Sequence, residues 1–169
     1  MKRQPVASDR AAGAAAPTSA SRLLEGGIQA ARAVRVVRER SHIRTIGQRP
    51  ASLKRAIAES ARGSRESQRW YTDNYRLIRT ALAEITDLAR SLREFPQVSG
   101  PRGEHPRVYV LAQDYFAAAQ DRFGEEEFVR FVEGYQRVVE LHMGEIWALK
   151  PALQLVLLER LAAAEPALW

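Results

Sequence analysis

Cysteine is absent from all 169 residues, and with it go disulfide frameworks, thiolate zinc sites, iron-sulfur clusters and thiol nucleophiles. Long apolar runs are missing too. The best candidate, Ala152 to Leu158, falls well short of the roughly 18 to 20 residues a membrane span needs, and Glu159 and Arg160 follow it. Catalytic signatures are equally scarce: there is no GxxxxGK[ST] phosphate loop, GxGxxG turn, GxSxG elbow or HExxH pair. His42, His105 and His142 each lack a second histidine at metal-ligand spacing, so neither a metal nor any other cofactor is expected. Carboxylates are plentiful, as on any charged helical protein, and no glycosidase-like pair stands out among them.

What is present is ordinary for a folded protein. Hydrophobic residues make up 46% and charged residues 27%, enough for a buried core in one modest domain plus a tail. The net charge of +6 is unevenly spread. Residues 1–63 hold 13 Lys and Arg against 4 Asp and Glu, a net of +9, whereas residues 64–169 hold 13 against 16, a net of −3. Residues 1–20 are mostly Ala, Ser, Pro and Gly, which predicts a disordered leader. It is not a secretory signal, because no apolar stretch follows Lys2 and Arg3.

Residues 21–63 read as a basic, partly helical segment, broken at Gly26-Gly27 and again near Ser41. On such a helix Arg35 and Arg38 share a face, and with Arg32 and Arg44 they are candidate contacts for an anionic partner, either a membrane surface or nucleic acid. The alternative is a solvated face on a docked helix. No aromatic residue precedes Trp70, which argues against a binder of single-stranded nucleic acid.

Residues 64–165 are expected to form the helical domain, an all-α bundle of about four to five helices. Ser64 is a candidate N-cap. Tyr71, Tyr75, Ile78, Leu82, Ile85, Ala89 and Leu92 then recur at steps of four and three until Phe95-Pro96. Pro106 suits the first turn of a second helix, and Gly124 precedes Glu125, Glu126 and Glu127 at the start of a third. A last helix contains Pro151, which predicts a bend between Glu145–Leu149 and Ala152–Ala164. No stretch alternates with period two over a useful length, so no sheet is required. The expected core includes Tyr75, Ile78, Leu82, Ile85, Leu111, Phe131, Tyr135, Trp147 and Leu157. Glu145 stands out among the acids: it opens a helix beside Trp147, whose ring either fills the core or stacks on a sugar.

Several short blocks carry a resemblance. They are Trp70-Tyr71-Thr72-Asp73-Asn74-Tyr75, Pro106 through Ala112, Phe131 through Gln136, Gly144 through Leu149, and Leu153 through Leu161. In order and spacing these blocks, spread from Ser64 to Ala164, resemble the N-terminal helical region of cyclic β-1,2-glucan synthases. The resemblance implies large inner-membrane proteins in which membrane spans, a glycosyltransferase domain using UDP-glucose and a phosphorylase-like domain lie beyond this region. Where the family often has a His-x-Asp-like element, this chain has Ala118-Ala119-Gln120-Asp121.

No catalytic residue of the family carries over, and the chain is expected to be a separated module or the product of a truncated reading frame. It is not expected to be an enzyme by itself. The partner so implied is the remainder of a glucan synthase. Arg76, Arg79, Glu145 and Trp147 are the candidate docking or sugar contacts. The expected location is the cytoplasm, reaching the inner face of the inner membrane through that partner.

Overall fold

The computed structural model describes residues 18–38, 49–60, 62–91, 94–100 and 103–163. Among them the chain is predominantly helical, as the all-α reading expects. The helices are α1 (Ser19–Ala33), α2 (Arg49–Ser60), α3 (Arg65–Ser91), α4 (Arg107–Ala118), α5 (Glu125–Gln136) and α6 (Met143–Ala163). Three short strands accompany them: β1 (Val36–Arg38), β2 (Gln97–Gly100) and β3 (Gly103–Pro106). Most of the expected leader, and Ser41 with Arg44, lie outside the described residues.

The helix starts follow local chemistry. Thr18 caps α1, its hydroxyl accepting from the Ser21 amide at 3.2 Å, and Ser64 caps α3 by accepting from the Ser67 amide at 3.0 Å. Gly124 precedes α5, whose first turn holds the three glutamates. α1 lies on α5 and touches α4; α4 packs on α6, which in turn receives α3 and α2. The centre is aromatic and aliphatic. Tyr115, Phe116, Phe131, Tyr135, Leu111 and Ile85 are all buried, and the Tyr115 ring meets those of Phe116, Phe123, Phe128 and Phe131. The Tyr115 hydroxyl also donates to the Gly124 carbonyl and accepts from the Gly124 amide, both at 3.1 Å, which ties the α4–α5 turn to the core.

Four sequence expectations need correction. A sheet is present, in the order β1-β2-β3 and antiparallel throughout, with Val98 opposite His105 and Gly100 opposite Gly103. Its strands span at most four residues, too few for alternation to register. Arg35 and Arg38 share no helical face, because the chain is extended there and Arg38 ends β1.

The other two concern helices. α1 runs through Gly26-Gly27 without a break, Gly27 lying against the α5 backbone at Phe131 and Tyr135. α6 spans Pro151 within one helix from Met143 to Ala163. That proline withholds the amide that would bond to the Trp147 carbonyl, and Trp147 sits on the solvated side, 79% exposed. Finally, Tyr75, Trp147 and Leu157 are exposed rather than core, and Leu82 is half-buried, whereas Ile78, Ile85, Leu111, Phe131 and Tyr135 are buried. On α3 the buried face runs through Ile78, Ala81, Ile85 and Leu88, which turns Tyr75 to one side of the contact with α6.

Candidate functional site

Two places depart from a plain hydrocarbon bundle. The first is internal and lies where α4 and α6 begin. Arg107 follows β3 directly, and its guanidinium grips the Glu145 carboxylate with two bonds, Nε to Oε1 at 2.9 Å and Nη2 to Oε2 at 2.5 Å. Nη2 also donates to the Glu140 carbonyl at 3.1 Å. Glu145 accepts a further bond from the His142 amide at 3.0 Å, so the carboxylate reaches back to the residue that opens α6 as in a capping box. Both side chains are buried, Glu145 completely.

Glu145 is thus held inside the bundle. Its acceptor sites are engaged by α6 itself and by Arg107, and the pair fixes the starts of α4 and α6 relative to each other. Tyr135 approaches the same pair from α5. Its hydroxyl is buried without a hydrogen-bond partner among the described residues, and burial raises its pKa, an effect the nearby Arg107 opposes while Glu145 and Asp114 add to it. Arg107, Tyr135 and Glu145 come from three of the separate blocks that carry the resemblance. The stretch that departs from it, Ala118 to Asp121, closes α4 with Gln120 and Asp121 in the left-handed backbone region. There the Asp121 carboxylate pairs with Arg160, whose guanidinium lies 5.2 Å from the centre of the Phe116 ring.

Burial pushes the Asp114 carboxyl up from an ordinary 3.8 to about 6. In the window between those values the folded chain binds more protons than the unfolded one, so this residue's contribution makes stability fall as pH rises through it. Asp114→Asn removes that penalty. It is expected to stabilise the chain at pH 7 by about 1 to 2 kcal/mol, after allowing for solvent screening of a partly buried group. The gain should shrink as pH falls below about 6 and vanish by about pH 3, below the ordinary value of 3.8, when urea melts of both proteins are compared.

The second place is external, along the seam between α3 and α6. Lys150 bridges the seam to Glu84, Nζ to Oε1 at 2.8 Å, and an opening lies on each side of this bridge. One, of about 390 Å³, is lined by Trp70, Leu77, Ile78, Ala81, Leu157 and Leu161 with the Asn74 and Gln154 amides. The other, of about 440 Å³, lies between the later turns of α3 and the start of α6 and has Trp147 in its lining. From Trp147 to Leu161 the seam runs about 20 Å along α6. Leu77, 70% exposed, and Trp147 leave it unusually apolar for a surface.

The remaining candidate residues fall elsewhere. Arg76 and Arg79 are exposed on α3 but line neither opening. Arg32, in the last turn of α1, and Arg35 are exposed, while Arg44 is outside the described residues. Among the described residues no group of three or more His, Asp or Glu is placed to hold a metal ion, and no helix is long and apolar enough to cross a membrane. Sequence reasoning missed Arg107, since nothing in a helical pattern joins it to an acid 38 positions away.

The fold and these two features define a small all-α module, locked by a buried ion pair and open along one helix seam. Over 94 residues, 54% of its length, the chain is 34% identical to Cyclic beta-(1,2)-glucan synthase NdvB of Rhizobium meliloti (strain 1021). It spans only 3% of that protein. No family model matches, and no solved structure matches significantly.

Proposed function

We propose that this chain is a noncatalytic helical module of glucan synthesis that acts by docking, its α3–α6 seam covered by an amphipathic helix from the rest of a glucan synthase. The observation that carries this reading is an apolar helix seam left open on a chain similar to a small part of a glucan synthase. In that relative the similar stretch is one small part of a very long polypeptide, so other segments are covalently at hand to cover the seam. Trp70, Leu77 and Leu157 line the opening at helical spacing from both sides, an arrangement suited to receiving the apolar face of a third helix. Arg76 and Arg79, exposed on α3, are proposed to flank the contact. The setting is the cytoplasmic side of the inner membrane, where the partner would hold the module.

Capture on a cyclic β-(1,2)-glucan synthase lacking the stretch similar to this chain tests the reading. The intact chain should be retained, and the pair Leu77→Asp and Leu157→Asp should weaken retention at least tenfold while leaving the helical signal intact, because both side chains are exposed. With UDP-glucose the chain alone should release UDP at background level only. Failure to capture the synthase, or turnover by the isolated chain, would sink the proposal.

The excess of positive charge in residues 1–63 and the exposure of Arg32 and Arg35 favour a second reading, contact of that segment with an anionic partner. Steep salt dependence of binding, lost when residues 1–63 are removed, separates it from docking through the seam.

A further inference from the structure

The two openings of the seam differ in chemistry, and the difference points to different occupants. Beside Trp70 the lining is hydrocarbon with two amides, which suits apolar side chains. Beside Trp147 it holds an open aromatic ring together with Glu84, Asp87 and Lys150. We infer that this second opening is a subsite for a neutral glucan, with Trp147 as the stacking platform and Glu84, Asp87 and Lys150 as partners for sugar hydroxyls. The inference rests on the reading that the chain works within glucan synthesis, and it adds a ligand to that reading.

The local construction supports it. Gly144, one turn before Trp147, has no side chain, and a Cβ there would lie 3.2 Å from the Phe95 ring. Phe95 therefore packs close beneath the first turn of α6 and floors the opening. Ala148, Lys150 and Pro151 are its other α6 neighbours in the lining, and the indole is left 79% exposed. The C–H groups on one face of a β-linked glucose carry partial positive charge and meet the negative face of such a ring favourably.

The polar groups complete the match. Hydrogen bonds from Lys150 and Gln154 hold the Glu84 carboxyl below its ordinary range, so it is ionised at neutral pH. An ammonium has three donors, so the bridge to Glu84 Oε1 leaves Lys150 with capacity toward hydroxyls; Glu84 Oε2 is buried, which leaves Oε1 as the carboxylate's acceptor toward a ligand. The Trp147 carbonyl adds an acceptor, since position 151 is proline and has no amide to give it. Two carboxylates against one ammonium disfavour a phosphate or other anion, whereas a polyhydroxyl ligand needs acceptors and donors together. At about 440 Å³ the opening is within the roughly 300 to 1,000 Å³ typical of small-ligand sites.

The test is a titration of the full chain with a β-1,2-linked glucose disaccharide and with cyclic β-(1,2)-glucan, followed by NMR on the tryptophan indole N–H signals. The Trp147 signal should shift saturably in the millimolar range while that of Trp70 stays in place. Trp147→Ala should abolish binding and Glu84→Gln should weaken it several-fold, with thermal melts showing both variants folded. Absence of a saturable shift, or glucan binding unchanged in Trp147→Ala, overturns the subsite.

Synthase capture by Trp147→Ala, read in parallel, keeps the two proposals apart. Capture retained with glucan binding lost supports both. Capture lost by a variant whose parent never responds to glucan overturns the subsite and assigns Trp147 to the protein contact. A glucan response from a chain that never captures the synthase supports the subsite and overturns docking.

Discussion

Glu145→Ala is expected to destabilise the chain by about 3 to 5 kcal/mol, a large share of the roughly 5 to 15 kcal/mol that holds most domains folded. The substitution removes more than one attraction. Arg107 is 5% exposed, so loss of the carboxylate takes two charge-assisted bonds from a buried guanidinium. The His142 amide at the start of α6 loses its acceptor at the same time. Replacing both partners with apolar residues of similar size, Arg107→Met with Glu145→Leu, should restore most of the loss, because a buried pair contributes little net stability once its own desolvation is counted. The exposed Arg130–Glu133 pair provides the contrast: Glu133→Ala should cost less than about 1 kcal/mol. Urea unfolding of these three variants beside the parent decides the matter. A Glu145→Ala cost no greater than that of Glu133→Ala would mean that the ion pair does not lock α4 to α6.

The same residues show what a one-dimensional reading can reach. Helices announce themselves when one face is apolar, and the α3 stripe with its Ser64 cap, the glutamates opening α5 and a last helix opening near Glu145, two residues after the observed start at Met143, are all legible on that basis. α6 defeats the method because it is apolar on most sides. Met143, Ile146, Trp147 and Leu157 are as hydrophobic as the buried Leu149, Leu153, Leu155 and Val156, so periodicity cannot choose which set faces the core. The pattern therefore puts Trp147 inside, whereas it lies outside. Glu145 stood out by its position at a helix start, but its partner arrives through tertiary packing from the far side of a hairpin. That hairpin was itself hidden, because a four-residue strand rich in Gly and Pro reads as loop. The α3–α6 seam was half visible: the helices were expected, and the openings between them depend on their relative placement.

Gly27→Ala should destabilise the chain by about 3 kcal/mol, against the sign that helix propensity gives, since alanine in place of glycine inside a helix ordinarily gains about 0.5 to 1 kcal/mol. The reason is the crossing of α1 and α5. A Cβ on Gly27 would collide with the Phe131 carbonyl and come within 2.9 Å of the Tyr135 amide nitrogen. Across the same crossing, a Cβ on Gly134 would collide with the Leu24 carbonyl. These are backbone atoms, which no rotamer change can move aside, so the helices must separate and expose Leu23 and Ala31. Gly26→Ala is the control. Its added methyl would meet the Ala118 Cβ at 3.4 Å and the Phe131 ring at 3.6 Å, ordinary contacts, so here propensity should win and stability should rise slightly. Thermal melts of the adjacent variants should thus move in opposite directions. Limited proteolysis should cut Gly27→Ala within residues 19–33 faster than the parent, while synthase capture through the α3–α6 seam persists, because α1 packs against α5 and α4 and lines neither opening of that seam. Equal stabilisation by both alanines would mean that α1 does not cross α5 this closely in solution.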